Sequence, residues 1–163
     1  MVVSSFDIVA YLETLLTLIG LSDGNPEIQK LVAFENAFEL LFAIIEGEGG
    51  VDGGIVAQDC LQLLTNLLRY NSSNQNYFRE TRGIQRLVGV IPSGDNAGHW
   101  PPQRTSNTIL ALAVTRVLIP KGGTVTLGNQ EALFQSKAVD KIIDLALSMD
   151  PPATVSAAVL SYL

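Results

Sequence analysis

The sequence has very little of what an active site requires. Its 163 residues include one cysteine, Cys60, and one histidine, His99. A structural zinc site takes four ligands, mostly Cys and His, so these two side chains cannot supply one. A Cys60–His99 dyad would lack a third group to orient the base. With no clustered acid, base, nucleophile or metal ligands, the sequence predicts a protein without cofactors that is not an enzyme.

A single cysteine also excludes an intramolecular disulfide and is typical of a reducing compartment. Long uncharged apolar runs are missing as well, because the best stretches, 8–21 and 109–119, each carry a charge. A membrane span needs 18 or more such residues. The first residues lack the basic region of a secretory signal. We therefore expect a cytoplasmic protein.

Charged residues are scarce, at 16% of the chain, and positive ones are the fewer. Ten Lys and Arg stand against sixteen Asp and Glu, which gives a net charge of −6. Such a surface repels phosphate backbones and anionic lipids, so we exclude nucleic acid and expect membrane association only through proteins. Hydrophobic residues make up 47% of the chain, too many for a disordered tether.

What the sequence does have is helical periodicity along its whole length. Apolar spacing and the Gly and Pro residues between segments predict ten helices, at 6–20, 26–34, 36–46, 55–70, 74–80, 83–91, 104–119, 129–135, 138–148 and 152–163. The helix at 55–70 is apolar nearly all round, which indicates burial on several sides. This pattern predicts an all-α fold.

These helices recur in one order: a long apolar helix, a polar turn with Asn, a short helix, a small residue and a second apolar helix. Three long-helix segments align, Leu12–Ile19, Leu61–Leu68 and Ala111–Leu118. In the second apolar helices, the alignment matches segments 36–41, 83–88 and 138–143. The roughly 50-residue spacing is near that of three-helix solenoid repeats.

The repeat predicts an α-solenoid of about three stacked three-helix units. Their predicted limits are 1–46, 47–91 and 104–148, with a further helix starting at 152–163. One unit cannot bury its own apolar faces, so stacking makes the core. The small residue that opens the second helix, Gly83 or Ala138, is expected to let two helices cross closely.

Specific stretches carry a resemblance to a known family. Cys60–Glu80 followed by Gly83–Val88 resembles an armadillo repeat. Glu48–Leu61 running into Asn71-Ser-Ser-Asn-Gln-Asn-Tyr-Phe78 is similar to the general vesicular transport factor family, and Asn129-Gln-Glu-Ala-Leu-Phe134 fits its next repeat. Members of that family are Golgi vesicle tethers with an armadillo-like head and a coiled-coil tail. Because no heptad run is present, we expect part of such a head.

The resemblance implies a role in endoplasmic-reticulum-to-Golgi transport and in vesicle docking and fusion at Golgi membranes. It implies protein partners, namely Rab-type GTPases, SNARE proteins and other Golgi tethering factors, and self-association of the head as a homodimer. It also implies a cytoplasmic protein associated peripherally with Golgi membranes. The alternative is a generic armadillo adaptor that binds an extended peptide in its concave groove.

Three residues, Asn66, Arg116 and Trp100, are candidates for protein binding. Asn66 stands where peptide-binding armadillo proteins carry an Asn that bonds a peptide backbone, although its predicted equivalents are Thr17 and Arg116. Local packing is the other interpretation of Asn66. Trp100, on a loop, either anchors a partner or packs back over the solenoid.

The polar turns have a structural interpretation. Asn74-Gln75 and Asn129-Gln130 stand at predicted helix starts, where an Asn side chain caps free backbone N–H groups. The Gly-rich stretch 47–54 is interpreted as a loop and helix start, because no Gly-Lys-Ser/Thr follows to bind phosphate.

Overall fold

The computed structural model describes residues 5–93, 100–147 and 152–161, and within these ranges the regular structure is helical throughout. Ten α-helices are present there: α1 (Ser5–Ser22), α2 (Pro26–Val32), α3 (Phe38–Gly47), α4 (Ile55–Leu68), α5 (Ser72–Glu80), α6 (Gly83–Val90), α7 (Pro102–Val117), α8 (Thr126–Gln135), α9 (Ala138–Leu147) and α10 (Ala153–Leu160). None of these helices is long and apolar enough to cross a bilayer.

The long helices lie side by side in chain order. Helix α4 packs between α1 and α7, and α7 packs in turn against α10. A second row is formed by α2, α5 and α8, and α3 packs against both α4 and α6. The predicted all-α solenoid of stacked three-helix units is therefore confirmed.

Helix α4 is the centre of the core. Eleven of its fourteen residues are buried, and Leu61, Leu64 and Leu67 have no exposed surface. A helix with two long neighbours and α3 against it has few positions left that face water, which explains why its sequence is apolar nearly all round. The prediction of a helix buried on several sides is confirmed.

A left-handed residue separates the short helix from the second apolar helix in each unit. Asn36, Arg82 and Lys137 have φ values of 64°, 62° and 64°. Each precedes a small residue, so Asn36 corresponds to Arg82 and the predicted alignment of 36–41 with 83–88 was wrong by one position. In the first unit the turn is a kink at Glu35 and Asn36, whose backbone angles are not helical, and the chain then runs directly into α3.

The close approach predicted at Gly83 is confirmed. A Cβ atom on Gly83 would lie 2.5 Å from the Cδ2 and Cε2 atoms of Phe78, a side chain with no exposed surface. Phe78 packs against Phe38 of the first unit, with ring centroids 4.9 Å apart. A small residue at this position thus lets the aromatic ring reach the neighbouring unit.

Four predicted helix starts were wrong by two residues or more. Helix α3 begins at Phe38 and not at Asn36, and α7 begins at Pro102 and not at Arg104. Helix α5 begins at Ser72 and not at Asn74, because Asn71 is the capping residue and its Oδ1 accepts from the Asn74 N–H at 3.2 Å. Helix α8 begins at Thr126 and not at Asn129. The predicted ends at 148 and 163, and the loop residue His99, lie outside the described residues.

Candidate protein-binding surface

Amide side chains join the helices within each unit at equivalent positions. One amide in each short helix donates to the C-terminal end of the preceding long helix: Gln29 Nε2 to Ser22 O (3.0 Å), Gln75 Nε2 to Leu68 O (2.9 Å) and Asn129 Nδ2 to Leu118 O (2.8 Å). Ser22 is therefore the structural equivalent of Leu68. The predicted alignment, which matched Ile19 with Leu68, was wrong by three residues. The carbonyls at a helix end have no partner inside the helix, and these amides supply one.

Polar side chains of the short helices also connect one unit to the next. Asn74 Nδ2 donates to Gln29 O in the first unit at 2.9 Å, and Gln75 Nε2 donates to Val117 O in the third at 3.0 Å. Arg79 Nη1 donates to Asn129 Oδ1 at 2.9 Å. We call this set, Gln29, Asn74, Gln75, Arg79 and Asn129, the polar seam. Because it is buried or half-buried and hydrogen-bonded across units, it fixes how the units stack.

Ion pairs reinforce the stacking between α3 and α6, the second apolar helices of the first two units. Arg86 of α6 contacts Glu46 of α3 with two bonds of 3.0 Å, Nε to Oε1 and Nη2 to Oε2. Its guanidinium also lies 5.0 Å from the centre of the Phe42 ring. A two-bond contact between Arg and a carboxylate fixes direction as well as distance, so α3 and α6 are held in register.

The Gly-rich stretch at 47–54 is a structural loop, as predicted. Asn107 of α7 is fully buried, and its Nδ2 donates to Val51 O at 3.1 Å and Gly53 O at 2.8 Å. Asp52 pairs with Arg104 at 3.1 Å. The carbonyls and the carboxylate of this loop are thus used to attach the third unit.

Cys60 lies in the core, without contact with solvent. Burial raises the pKa of its thiol to about 12, and the Asp59 and Glu48 carboxylates add to the increase. Nucleophilic cysteines need a low pKa and access to solvent, and Cys60 has neither. Among the described residues, no group of three or more Cys, His, Asp or Glu side chains is placed to hold a metal ion.

Asn66 is engaged inside the chain. It is 6% exposed; its Nδ2 donates to Ile19 O of α1 at 3.1 Å, and its Oδ1 accepts from Gln62 Nε2 at 3.2 Å. The amide therefore joins the first and second units in this structure. Because the side chain is nearly buried, little of it is accessible to a peptide, and its role in binding stays a prediction.

Trp100 is half-buried and packs against a small core cluster between the third unit and α10, which includes Leu112 and Val155. The Arg104 guanidinium lies 5.1 Å from the centre of its ring. The indole N–H is buried and has no hydrogen-bond partner among the described residues. The position of Trp100 agrees with the second interpretation, in which the side chain packs back over the solenoid. A contact between Trp100 and a partner stays a prediction.

Arg116 differs from the other two candidates because it is exposed and lies in a groove of about 510 Å³. The groove crosses the C-terminal ends of α4 and α7. We call it the basic groove, and its lining residues are Arg69, Tyr70, Arg116, Val117, Ile119, Pro120, Lys121 and Ser161. The side chain of Arg116 donates to the Ser161 hydroxyl at 3.4 Å. Sequence reasoning found Arg116 and missed Arg69, Tyr70 and Lys121, since helix ends from different units meet there only in the fold.

Proteins with similar sequences are named as vesicular or intracellular transport proteins. The chain is 43% identical over 144 residues to general vesicular transport factor p115 of Homo sapiens and 40% identical over 146 residues to the intracellular protein transport protein USO1 of Saccharomyces cerevisiae. The chain is related to the general vesicular transport factors. These matches cover 86% and 88% of this chain but 15% and 8% of the relatives. It therefore corresponds to one segment of much longer vesicular transport factors.

The relationship extends to plants and to solved structures. Golgin candidate 6 of Arabidopsis thaliana is 40% identical over 142 residues. A crystal structure of Uso1 aligns with 91% of this chain, at 39% sequence identity and a TM-score of 0.86. The aligned part is 22% of the Uso1 chain in that structure. No family model matches the sequence. Fold and sequence together confirm the resemblance to the vesicular transport factors.

Proposed function

We propose that this chain is part of the head of a vesicle tether that acts in endoplasmic-reticulum-to-Golgi transport. The observation that carries the proposal is the 40–43% identity to vesicular transport factors over most of the chain, supported by the TM-score of 0.86 with Uso1. The chain works by binding proteins, and not by catalysis, while docking and fusing vesicles at Golgi membranes.

The structure supports a binding role through its rigidity. The polar seam and the Arg86–Glu46 pair hold the units in one arrangement, so surface side chains keep fixed positions relative to each other. Preorganised surfaces lose less conformational entropy on association. A segment spanning 8–15% of its relatives supplies docking, and linking membranes across a long distance requires other parts of such proteins.

The partners that we propose are Rab-type GTPases, SNARE proteins and other Golgi tethering factors, together with a second copy of the head. We propose a cytoplasmic location with peripheral association at Golgi membranes. Among the three candidate residues, Arg116 is the most available contact, because Asn66 and Trp100 are used for packing.

A binding experiment with purified components tests this proposal. The 163-residue chain is immobilised, and Rab-type GTPases in GTP- and GDP-bound forms and the cytosolic regions of SNARE proteins are passed over it. We expect selective retention of at least one of these proteins. Retention of none, with selective binding of short extended peptides that Asn66→Ala abolishes, would favour the armadillo adaptor instead.

A further inference from the structure

We propose that the basic groove binds an acidic, extended segment of a partner protein. In this arrangement, carboxylates of the segment contact Arg69, Arg116 and Lys121, and the Tyr70 ring packs against its backbone and side chains. The inference rests on the proposed function in that the chain works by binding proteins. It adds the surface and the chemistry of the partner.

The first argument is charge. The residues lining the groove include three cations and no carboxylate, although the whole chain carries a net charge of −6. Among the described residues, the ion pairs involve Lys30, Arg86, Arg104 and Lys137, and none of them uses a groove cation. The groove thus concentrates positive charge that carboxylates of the described chain leave unpaired.

The partial negative charges at the helix ends do not neutralise the three cations. The C-terminal ends of α4, α7 and α10 meet the groove, and each helix end carries roughly −0.5 of an elementary charge. Three such ends contribute about −1.5 against the +3 of the cations. The excess is available to an anionic ligand, and Arg in particular bonds carboxylates through two parallel N–H groups.

Tyr70 gives a second, independent argument. It follows the end of α4 with φ of 56°, in the left-handed region where Gly or Asn is usual, and its side chain is 90% exposed. A bulky residue in this conformation costs stability, and an exposed ring recovers none of it by packing. The left-handed conformation itself ends α4, so folding accounts for the backbone at Tyr70 but not for an exposed aromatic ring there. The ring lines the groove, and Tyr and Arg are enriched where binding energy concentrates.

Shape and overall charge favour a protein segment over a lipid surface. A groove of about 510 Å³ is concave and accepts a few extended residues, whereas a bilayer surface is broad and nearly flat. The net charge of −6 opposes adsorption to anionic lipid, while a short acidic segment meets mainly the local field of the groove.

Fluorescence anisotropy with the 163-residue chain tests the proposal. The probe is a fluorescein-labelled peptide of eight glutamates with Gly-Ser flanks, and a peptide of eight lysines with the same flanks is the control ligand. We expect the glutamate peptide to bind, to weaken as salt is added, and to bind about tenfold less tightly to Arg116→Gln/Lys121→Gln. The matched variant Lys30→Gln/Lys137→Asn loses the same two charges elsewhere and should bind as the wild type does.

Tyr70→Asn separates binding from folding, because Asn tolerates the left-handed conformation. We expect this variant to be at least as stable as the wild type and to bind the glutamate peptide several-fold less tightly. The groove proposal would be overturned if the Arg116→Gln/Lys121→Gln variant and the Lys30→Gln/Lys137→Asn control lost binding equally, or if neither lost any. Binding to phosphatidylserine vesicles without binding to the peptide would overturn the choice of partner. If Rab-type or SNARE proteins are retained equally by the wild type and the groove variant, the groove proposal fails and the proposed function stands.

Discussion

At the scale of single residues, Gly83 is the position where side-chain size decides whether two units fit together. The residue opens α6 directly after the left-handed Arg82, and the Phe78 ring occupies the space where a Cβ atom would stand. Phe78 in turn contacts Phe38 and Phe42 of the first unit. A methyl group at Gly83 must therefore displace an aromatic ring that both units share.

We expect Gly83→Ala to lower the free energy of unfolding by about 1–3 kcal/mol, the usual effect of overpacking a core. Urea unfolding followed by circular dichroism measures it. Gly89→Ala is the matched control, because Gly89 lies in the same helix and a Cβ atom added there would have no neighbouring atom within 4 Å. That variant should be as stable as the wild type or more stable by up to about 1 kcal/mol. Equal stability of the two variants would contradict the packing argument.

Asp59 is a carboxylate that the fold disfavours in its charged form. Burial in α4 raises its pKa above the ordinary value. For an acid whose folded-state pKa is raised, the folded state binds the proton more tightly than the unfolded state. Its contribution is then neutral below the unfolded pKa and becomes a destabilisation as pH rises through the folded pKa.

We therefore expect Asp59→Asn to increase the free energy of unfolding at neutral pH and to lose that advantage in acid, below the pKa of an unfolded Asp. Thermal or urea unfolding of both proteins across this pH range gives the difference curve. Asp140→Asn is the control, since Asp140 is exposed and pairs with Lys137 of the turn before it. An Asp59→Asn variant that is less stable than the wild type at neutral pH would show that the carboxylate stabilises the fold.

At the scale of helices, the polar seam connects neighbouring units in addition to satisfying the carbonyl groups at helix ends. Asn129 has no exposed surface, and its side chain joins the end of α7, through Leu118 O, to Arg79 of α5. Removing a buried amide leaves both of these groups without that partner. The loss of each bond affects packing between units as well as the start of α8.

Asn129→Ala should lower the free energy of unfolding by about 1–3 kcal/mol, the cost of leaving buried polar groups unsatisfied. The neighbouring Gln130 is exposed, so Gln130→Ala should change stability by less than about 0.5 kcal/mol. Chemical unfolding of the pair measures the contrast. Equal, small effects at both positions would mean that the seam does not stabilise the stacking.

The sequence predicts the helices better than it predicts these bonds, and the reason is physical. Helix α4 is evident because its apolar residues repeat at helical spacing, and this pattern depends only on nearby positions. Asn71 and Asn74 have the same side chain, yet Asn71 caps α5 and also bonds Pro26 O and Gln29 Oε1, whereas Asn74 bonds Gln29 O and Leu67 O. These partners depend on where the neighbouring unit lies, which the spacing of residues in the sequence does not show. The basic groove was missed for the same reason, apart from Arg116.

At the scale of the whole molecule, stability should be greatest in the middle of the stack. Helix α4 has a long helix on both sides, while α1 has α4 as its one long neighbour among the described elements and α10 packs against α7 and α9. In a solenoid, each unit is stabilised mainly by the units that it touches. Local opening therefore costs least where fewest neighbours are lost and most in α4.

Amide hydrogen exchange followed by mass spectrometry tests this gradient in the 163-residue chain. We expect the slowest exchange in α4 and faster exchange in α1 and α10. Leu64→Ala, at a fully buried position in α4, should destabilise the protein by about 2–5 kcal/mol and speed exchange in α1 and α7 together, because both pack on α4. Leu16→Ala, at a position 57% exposed on α1, should leave α7 unchanged. If Leu64→Ala speeds exchange in α4 alone, the units do not stabilise one another, and a rigid binding surface would need another origin.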